Sequence, residues 1–480
     1  MLGYHRPNGV ISARPAPWRA NIPKPLTPNP HGCIFGGGAY NLPDVKAGAD
    51  FIDLQARVPL VAWLPCKFGE YPMTSRERIL TACNHRDPDR VPVDLSSHPS
   101  SGIAAIAYAK LRKYLGLPRR ILRVYDPIQQ LALVDDDVLE KFGGDMIDLG
   151  RGFALDEKSW ADWVLPDGTP CKMPAWALPE KAGGRWVFRS KSGREIAHMP
   201  EGALYFDQTY FPFVDENGPR TISEAMRESM WHTVGCPPGP WVDALHLREG
   251  AKRLRESTDK AILGGFGGNL LETGQFFYRN DNFYMLLAAE PEKAHKFLDD
   301  LVEIHLKNLE QFLGAAGEFI DFVKFGDDLG MQNGPQISPK MYREFFKPRH
   351  KLMWARAKEL ANVKVMLHCC GGVRELLPDL IDAGLDAINP VQISCARMDA
   401  RELKAEFGRE MVFCGGGCDT QTILPYGTPE EVRRHVTEQV RILSPGGGFI
   451  FSQVHNILAH VPPENVVAMY ETVQQAAALV

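Results

Sequence analysis

The chain has 480 residues, of which 44% are hydrophobic and 24% charged, and its net charge is −5. This is an ordinary globular composition without the basic excess of a nucleic-acid-binding surface. No apolar stretch approaches the roughly 20 residues that span a bilayer, and no secretory signal is recognisable, so the sequence predicts a cytoplasmic protein with reduced thiols.

The first 72 residues differ in composition from the rest of the chain. They are rich in Pro and Gly, as in "RPAPWRANIPKPLTPNPHG", and show no helical period. We therefore predict an irregular N-terminal extension over residues 1–72. At Met73 the stretch "MTSRERILTACNHRDPDRVPVDL" begins, in which a helical pattern runs into a strand, so the folded domain is expected over residues 73–480.

Eight short apolar runs, rich in β-formers, each precede a helical pattern. They are "RVPVDL" (90–95), "DMIDLG" (145–150), "AILGGFGG" (261–268), "FIDFVKFGDD" (319–328), "KVMLHCC" (364–370), "DAINPVQ" (386–392), "MVFCGGG" (411–417) and "GFIFSQVH" (448–455). Alternating buried strands and amphipathic helices predict parallel strands with helical crossovers, and eight such units predict an α/β fold, a (β/α)8 TIM barrel. An open doubly wound sheet is the alternative.

Two local patterns refine this prediction. The segment "TPEEVRRHVTEQVRIL" has a Thr-Pro-Glu-Glu start, which predicts a capping box with Pro at the first helical position. Residues 151–245, after the second strand, form a long aromatic and Pro-rich insertion, in which alternating residues around "DG" and "SG" predict β-hairpins. The insertion is interpreted either as a cap over the barrel mouth or as a structural excursion.

Polar and metal-binding residue types recur where the predicted strands end, which is where chemistry is located in a barrel of this kind. The main candidates are Asp327, Asp328, His368, Cys369, Cys370, Asn389, Gln392, Cys414, Cys418, Asp419, His455 and Asn456, and the weaker ones are Asp94 and His98 after the first strand.

The stretch "VMLHCCGGVRELLPDL" places an imidazole and two thiols at the end of a buried strand. Residues two apart in a strand point the same way, so His368 and Cys370 share one face and Cys369 lies on the other. Imidazole and thiolate are both zinc ligands, and three protein ligands leave one position open, as in catalytic zinc sites. His455 is the candidate third ligand, with Cys414 and Cys418 as alternatives. A buried core His with buried thiols is the competing interpretation.

The C-terminal half resembles a known superfamily. The segments "HCCGGVRELLPDLIDAGLDAINPVQ", "FCGGGCDTQTILPYGTPEEVRRHV" and "VHNILAHVPPENVVAMYETV" are similar to uroporphyrinogen decarboxylase and to the corrinoid-dependent methyltransferases of the same fold. The resemblance covers roughly Met73 to the C-terminus, with the insertion poorly matched, and implies a (β/α)8 barrel.

The two branches of this superfamily use different residues. The decarboxylase uses an Arg- and Gly-containing motif near its first strand, and this motif is missing from the corresponding segment "DLSSHPSSG" of this chain. The decarboxylase also has a His in a "GHG" segment, and His455 lies at that place here. The zinc methyltransferases have an H-x-C motif, which His368, Cys369 and Cys370 match, and their third ligand is typically a Cys in the segment where this chain has His455. The resemblance therefore favours a zinc-dependent methyltransferase, with a metal-independent tetrapyrrole decarboxylase as the alternative and a non-catalytic binding barrel as a third hypothesis.

The resemblance also implies cofactors and partners. Zinc would activate a thiol or the leaving heteroatom of a small methylated compound, and the methyl group would pass to or from a corrinoid, expected on a separate protein at the barrel mouth. The sequence is compatible with a homodimer. Candidate catalytic residues are Asp327, Asp328 and His455. Candidate substrate contacts are Gln332, Asn333, Asn389, Gln392, Asp94 and His98.

Overall fold

The computed structural model describes residues 72–153, 157–235 and 243–476. The predicted N-terminal extension, apart from Pro72, lies outside the described residues. The remaining residues belong to the predicted domain.

Eight parallel strands form one sheet whose spatial order follows the chain. They are β1 (Val93–Asp94), β2 (Gly144–Asp148), β3 (Ala261–Gly267), β4 (Phe322–Gly326), β5 (Lys364–His368), β6 (Ala387–Asn389), β7 (Val412–Cys414) and β8 (Phe449–Ile450). The sheet returns to its first strand, because the Asp94 N–H donates to the Phe451 carbonyl and the Phe451 N–H to the Pro92 carbonyl, both at 2.8 Å. The predicted (β/α)8 barrel is therefore confirmed, with a sheet that is nearly closed. The alternative, an open doubly wound sheet, is wrong.

The helix Ser75–Cys83 precedes β1 and packs with Ile79 and Cys83 against the inward-facing residues at one end of the barrel, and further helices follow the strands. Their bounds are Ser75–Cys83, Ala105–Tyr114, Asp136–Lys141, Ile222–Met226, Ala244–Ser257, Leu271–Tyr278, Asn280–Ala289, Pro291–Ala316, Pro339–Met341, Lys347–Leu360, Leu377–Asp382, Ala400–Phe407, Ile423–Tyr426, Pro429–Leu443 and Pro463–Ala476. The predicted capping box is present, since the Thr428 side chain accepts from the Glu431 N–H and Pro429 opens the helix. None of the helices in the described ranges is both long and apolar enough to cross a membrane.

The barrel interior changes from apolar to polar along the strands. Its lower part is filled by inward-facing side chains such as Met146, Leu263, Phe322, Met366 and Val412. Because strand side chains alternate, the next inward positions on β2, β4, β5 and β6 are polar: Asp148, Lys324, His368 and Asn389. The packed lower layers support the fold, and the upper layer forms the floor of the mouth.

Three aspartates fasten the amino-terminal ends of the strands. Asp145, Asp321 and Asp386 each accept a hydrogen bond from a backbone N–H of the preceding strand, at 2.9, 2.9 and 2.7 Å respectively. Asp145 also pairs with two guanidinium groups, those of Arg78 and Arg90, each at 2.7 Å. This end of the barrel is therefore held by buried ionic contacts, which contribute to stability rather than to chemistry.

The insertion contains the predicted hairpins. Strands Trp160–Val164 and Pro170–Pro174 pair antiparallel around the "DG" turn, and Arg185–Arg189 pairs with Glu195–Met199 around the "SG" turn. The segment after the second hairpin reaches the barrel mouth, where the Tyr205 hydroxyl donates to Asn456 Oδ1 at 3.5 Å.

Candidate metal centre

Three of the predicted ligands converge at the carboxyl end of the barrel. His368 ends β5, Cys370 follows two residues later, and the Cys370 sulfur lies 3.5 Å from His368 Nε2. His455 follows β8, and its ring centroid is 5.9 Å from that of His368. Among the described residues these three form a group whose ligand atoms all lie within 4.8 Å of one another. Two imidazoles and one thiol are a donor set that fits zinc.

The protonation states of the three side chains follow from their burial. Burial, with the charge of Lys324, lowers the pKa of His368 well below its ordinary value, and burial also lowers the pKa of His455. Both imidazoles are therefore neutral near pH 7 and offer lone pairs. Burial and the neighbouring Asp328 raise the pKa of Cys370 well above its ordinary value, so without a cation the sulfur keeps its proton.

A pair of carboxyl groups lies beside the Cys370 thiol. Asp328 Oδ1 accepts the Cys370 N–H at 2.7 Å and lies 3.8 Å from His368 Nε2. Glu272 Oε2 accepts the Asp328 N–H at 3.1 Å. Burial and the proximity of Asp328 raise the pKa of Glu272 well above its ordinary value, and burial raises the pKa of Asp328. The pair therefore retains protons at a higher pH than free carboxyl groups do.

Asp327 is occupied by structural contacts. Its carboxylate accepts the N–H groups of Leu271 and Glu272, at 3.0 and 2.9 Å, and so caps the helix Leu271–Tyr278. His350 Nε2 lies 3.3 Å from the same carboxylate. The Asp327 side chain is fully buried, so the structure places it behind the mouth and only Asp328 beside the ligands.

Lys324 provides a positive charge inside the mouth. It lies on β4 two residues after the inward-facing Phe322 and pairs with Gly265 on β3. A Cβ built on Gly265 would meet no atom within 4 Å, so open space lies next to the lysine. Burial lowers the pKa of Lys324, while the Asp148 carboxylate raises it. Burial in turn raises the pKa of Asp148 to about 6.

The amide candidates differ in position. The Gln392 Oε1 accepts the Gly371 N–H at 2.8 Å, and its Nε2 donates to Gln332 Oε1 at 3.4 Å. Gln332 Nε2 donates to the Ser394 carbonyl at 3.0 Å. These contacts join the loops that follow β4, β5 and β6 at the rim of the mouth, where Asn333 is exposed.

Asn389 lies below the rim and is fully buried. Its Oδ1 accepts from His368 Nδ1 at 3.0 Å and from the Ser100 hydroxyl at 2.6 Å, and its Nδ2 donates to the Cys414 carbonyl at 3.0 Å. Both polar atoms of this side chain are thus bonded to protein groups. Its predicted contact with substrate stays a prediction.

Asp94 and His98 lie together behind Asn389. His98 Nε2 is 3.1 Å from Asp94 Oδ2, and His98 Nδ1 is 3.1 Å from the Ser100 hydroxyl. The other Asp94 oxygen accepts the Ser97 N–H at 3.0 Å. Both residues are buried, and Ser100 and Asn389 connect them by hydrogen bonds to His368.

The other candidate thiols lie apart from the three ligands. Cys414 packs in the apolar interior of the barrel, and the Cys418 thiol faces the Asp419 carbonyl at 3.8 Å. The Cys369 sulfur accepts the Leu329 N–H at 3.3 Å on the opposite face of the chain from Cys370. All the cysteines in the described ranges are free thiols.

Sequence reasoning missed three residues of this region: Ser100, Glu272 and Lys324. Lys324 had a signal, since a lysine two positions after an inward phenylalanine on a barrel strand must point into the lumen. Ser100 and Glu272 had none, because each meets the ligand group only after elements far apart in sequence come together.

Comparison with known proteins identifies the family to which the barrel belongs. Residues 212–476 match the family described as Uroporphyrinogen decarboxylase (URO-D). The chain belongs to the URO-D family. It is 27% identical over 275 residues to the uroporphyrinogen decarboxylase of Legionella pneumophila, covering 55% of this chain and 72% of that one. The corresponding enzyme of Psychromonas ingrahamii is 24% identical over 269 residues, covering 55% and 62%.

A solved structure agrees with the URO-D assignment at the level of the fold. A methyltransferase from Methanosarcina mazei superposes with a TM-score of 0.51 at 18% identity, covering 84% of this chain and 99% of that one. The URO-D match begins after β1 and β2, so Asp94, His98 and Ser100 lie outside the matched range.

Proposed function

We propose that this URO-D family protein is a zinc-dependent methyltransferase that moves a methyl group between a small methylated compound or thiol and a corrinoid carried by a partner protein. The observation that carries the proposal is the convergence of His368, Cys370 and His455 within 4.8 Å of one another. Three such ligands leave a fourth position for substrate, as in catalytic rather than structural zinc sites.

The surrounding residues have roles in this proposal. When bound, zinc supplies a Lewis acid that activates a thiol or the leaving heteroatom of the methyl donor. Asp328 holds the Cys370 backbone, and the pair of Asp328 and Glu272 takes up or returns the proton that the reaction moves. Lys324 faces the open space beside Gly265 and favours negative charge on the substrate.

Metal analysis tests the ligand set. Purified full-length protein is expected to contain about one zinc per chain, and His368→Ala and Cys370→Ala to contain almost none. Cys369→Ala is the matched control, since its sulfur lies on the other face and bonds to Leu329. Full occupancy in Cys370→Ala would exclude the ligand assignment. Full occupancy in His455→Ala would move the third ligand elsewhere.

Activity tests the reaction. The cobalt spectrum of a corrinoid protein should change with time when this protein and a small methyl donor, or a thiol acceptor, are both present. The change should stop when zinc is removed by a chelator and resume when zinc is restored. A spectrum that changes equally in protein stripped of zinc would contradict the proposed chemistry.

A second candidate function is decarboxylation of uroporphyrinogen, the reaction for which the similar Legionella pneumophila and Psychromonas ingrahamii enzymes are named. Against it, the segment after β1 has no Arg to hold substrate carboxylates, and its polar residues Asp94, His98 and Ser100 are buried and bonded to one another. Incubation with uroporphyrinogen III separates the candidates. Carbon dioxide release that a chelator does not affect would support the decarboxylase and exclude the methyltransferase.

A further inference from the structure

A line of buried polar groups runs from the first strand of the barrel to the candidate metal ligands. It passes from Asp94 through His98 and Ser100 to Asn389 and ends at His368, with contacts of 3.1, 3.1, 2.6 and 3.0 Å. The three middle residues are 1%, 2% and 0% exposed. Of these five residues only His368 is a proposed ligand, so the proposed reaction does not explain why the other four are polar.

The orientation of the Asn389 amide is fixed by the backbone. Its Nδ2 lies 3.0 Å from the Cys414 carbonyl, which only accepts hydrogen bonds, so the nitrogen must be on that side and Oδ1 on the other. Oδ1 in turn only accepts. Both groups that approach it, His368 Nδ1 and the Ser100 hydroxyl, must therefore donate.

The same counting of protons extends to His98. The single hydroxyl proton of Ser100 is used on Asn389, so His98 must donate from Nδ1 to the Ser100 oxygen. His98 Nε2 lies 3.1 Å from Asp94 Oδ2, within ion-pair distance but without the geometry of a hydrogen bond. From His98 to His368 every contact then has one donor and one acceptor.

This pattern excludes Ser100 as a nucleophile, although Ser, His and Asp meet here. A nucleophilic serine gives its proton to the histidine, whereas Ser100 receives a hydrogen bond from His98 and gives its proton to Asn389. Its hydroxyl is also buried, away from any substrate. The line ends instead on the imidazole of His368.

We infer that Asn389, held by Ser100 and His98, is a positioning residue that keeps the proton of His368 on Nδ1 and turns the unprotonated Nε2 toward Cys370 and His455. The inference rests on the proposed function in one respect, that Nε2 is the atom that binds zinc. A histidine ligand needs a partner for its other ring nitrogen, which fixes both the tautomer and the angle of the ring. The hydrogen bonds of Asn389 therefore fix the tautomer and the ring orientation of His368 already in the metal-free protein.

The tautomer is measured directly in full-length, metal-free protein labelled with ¹⁵N on histidine. Long-range ¹H–¹⁵N correlations, with the His368 signal assigned from its loss in His368→Gln, should show the proton on Nδ1. Asn389→Ala should give a mixture of tautomers. Asn389→Asp, which keeps an acceptor for His368, should restore the Nδ1 proton, and exposed Asn282→Ala is the control with no change. A wild-type His368 with its proton on Nε2 would overturn the inference.

Zinc affinity gives the second readout, by competition with a chromophoric chelator. Asn389→Ala should bind zinc about 10- to 100-fold more weakly than wild type, and Asn389→Asp should recover most of that loss. Should Asn389→Ala fail to fold, Ser100→Ala replaces it, with a smaller loss in the same direction. Unchanged affinity and tautomer in these variants would refute the positioning role. Wild-type protein that shows the expected tautomer but binds no zinc would refute the proposed function alone and leave the tautomer inference standing.

Discussion

Asp327 and Asp328 are adjacent in sequence, yet their carboxylates have different surroundings. Asp327 caps the helix Leu271–Tyr278 and lies next to His350, whereas Asp328 bonds to the backbone of Cys370. The alternation of side chains separates two residues that a motif search treats as one site. Only Asp328 has a place in the proposed chemistry.

Replacing Asp327 with Ala should therefore affect folding rather than metal content. The loss of two helix-capping hydrogen bonds and the contact with His350 should cost about 2 kcal/mol of unfolding free energy. Urea denaturation measures that loss, and metal analysis should still find about one zinc per chain. A variant of normal stability that has lost its zinc would show that Asp327 belongs to the centre.

The ligand residues were predictable from sequence to different extents. His368 and Cys370 follow from the spacing of two residues on one strand, and His455 from its position at the end of another. The contacts around these ligands were not predictable in the same way. The Asp328–Glu272 contact spans 56 residues and the Ser100–Asn389 contact 289, and only the closed barrel brings such residues together.

At the scale of elements, the eight predicted strands and both hairpins are present, but the strands are shorter than the apolar runs that predicted them. β1 and β8 have two residues each, although their runs have six and eight. An apolar run reports burial, and burial continues into the loops at both ends of a barrel strand. Pairing ends earlier, where the chain turns toward its helix.

The short strands depend on the hydrogen bonds and ion pairs of the aspartates at their amino-terminal ends. Asp145→Ala should remove one of the two carboxylates that bind the buried Arg78, which keeps Asp89, and should free the Val93 N–H, at a cost of about 2–3 kcal/mol. Thermal unfolding should show a clearly lower midpoint, while exposed Asp136→Ala, whose ion pair is at the surface, should unfold close to wild type. Equal midpoints would mean that the barrel does not rely on this contact.

At the scale of the whole molecule, the barrel is built from the residues that follow Met73. The first helix is capped by Thr74, and the sheet closes between β1 and β8. A protein beginning at Met73 is therefore expected to be soluble and to melt within a few degrees of the full chain, as calorimetry would measure. Insoluble truncated protein would show that residues 1–72 contribute to the core or to an interface.

Zinc binding should also stabilise the whole barrel, because its proposed ligands come from strands that are not neighbours. His368 ends β5, Cys370 follows it and His455 follows β8, with β6 and β7 between the two strands. An ion that binds only the folded protein adds about 2.7 kcal/mol at a concentration 100 times its Kd. The melting temperature of metal-free wild type should thus rise by several degrees as zinc is added. His455→Ala, which keeps both ligands near β5, should show a much smaller rise. An equal rise in wild type and His455→Ala would mean that the stabilising ion does not link β5 to β8, and the ligand set would have to be sought around β5 alone.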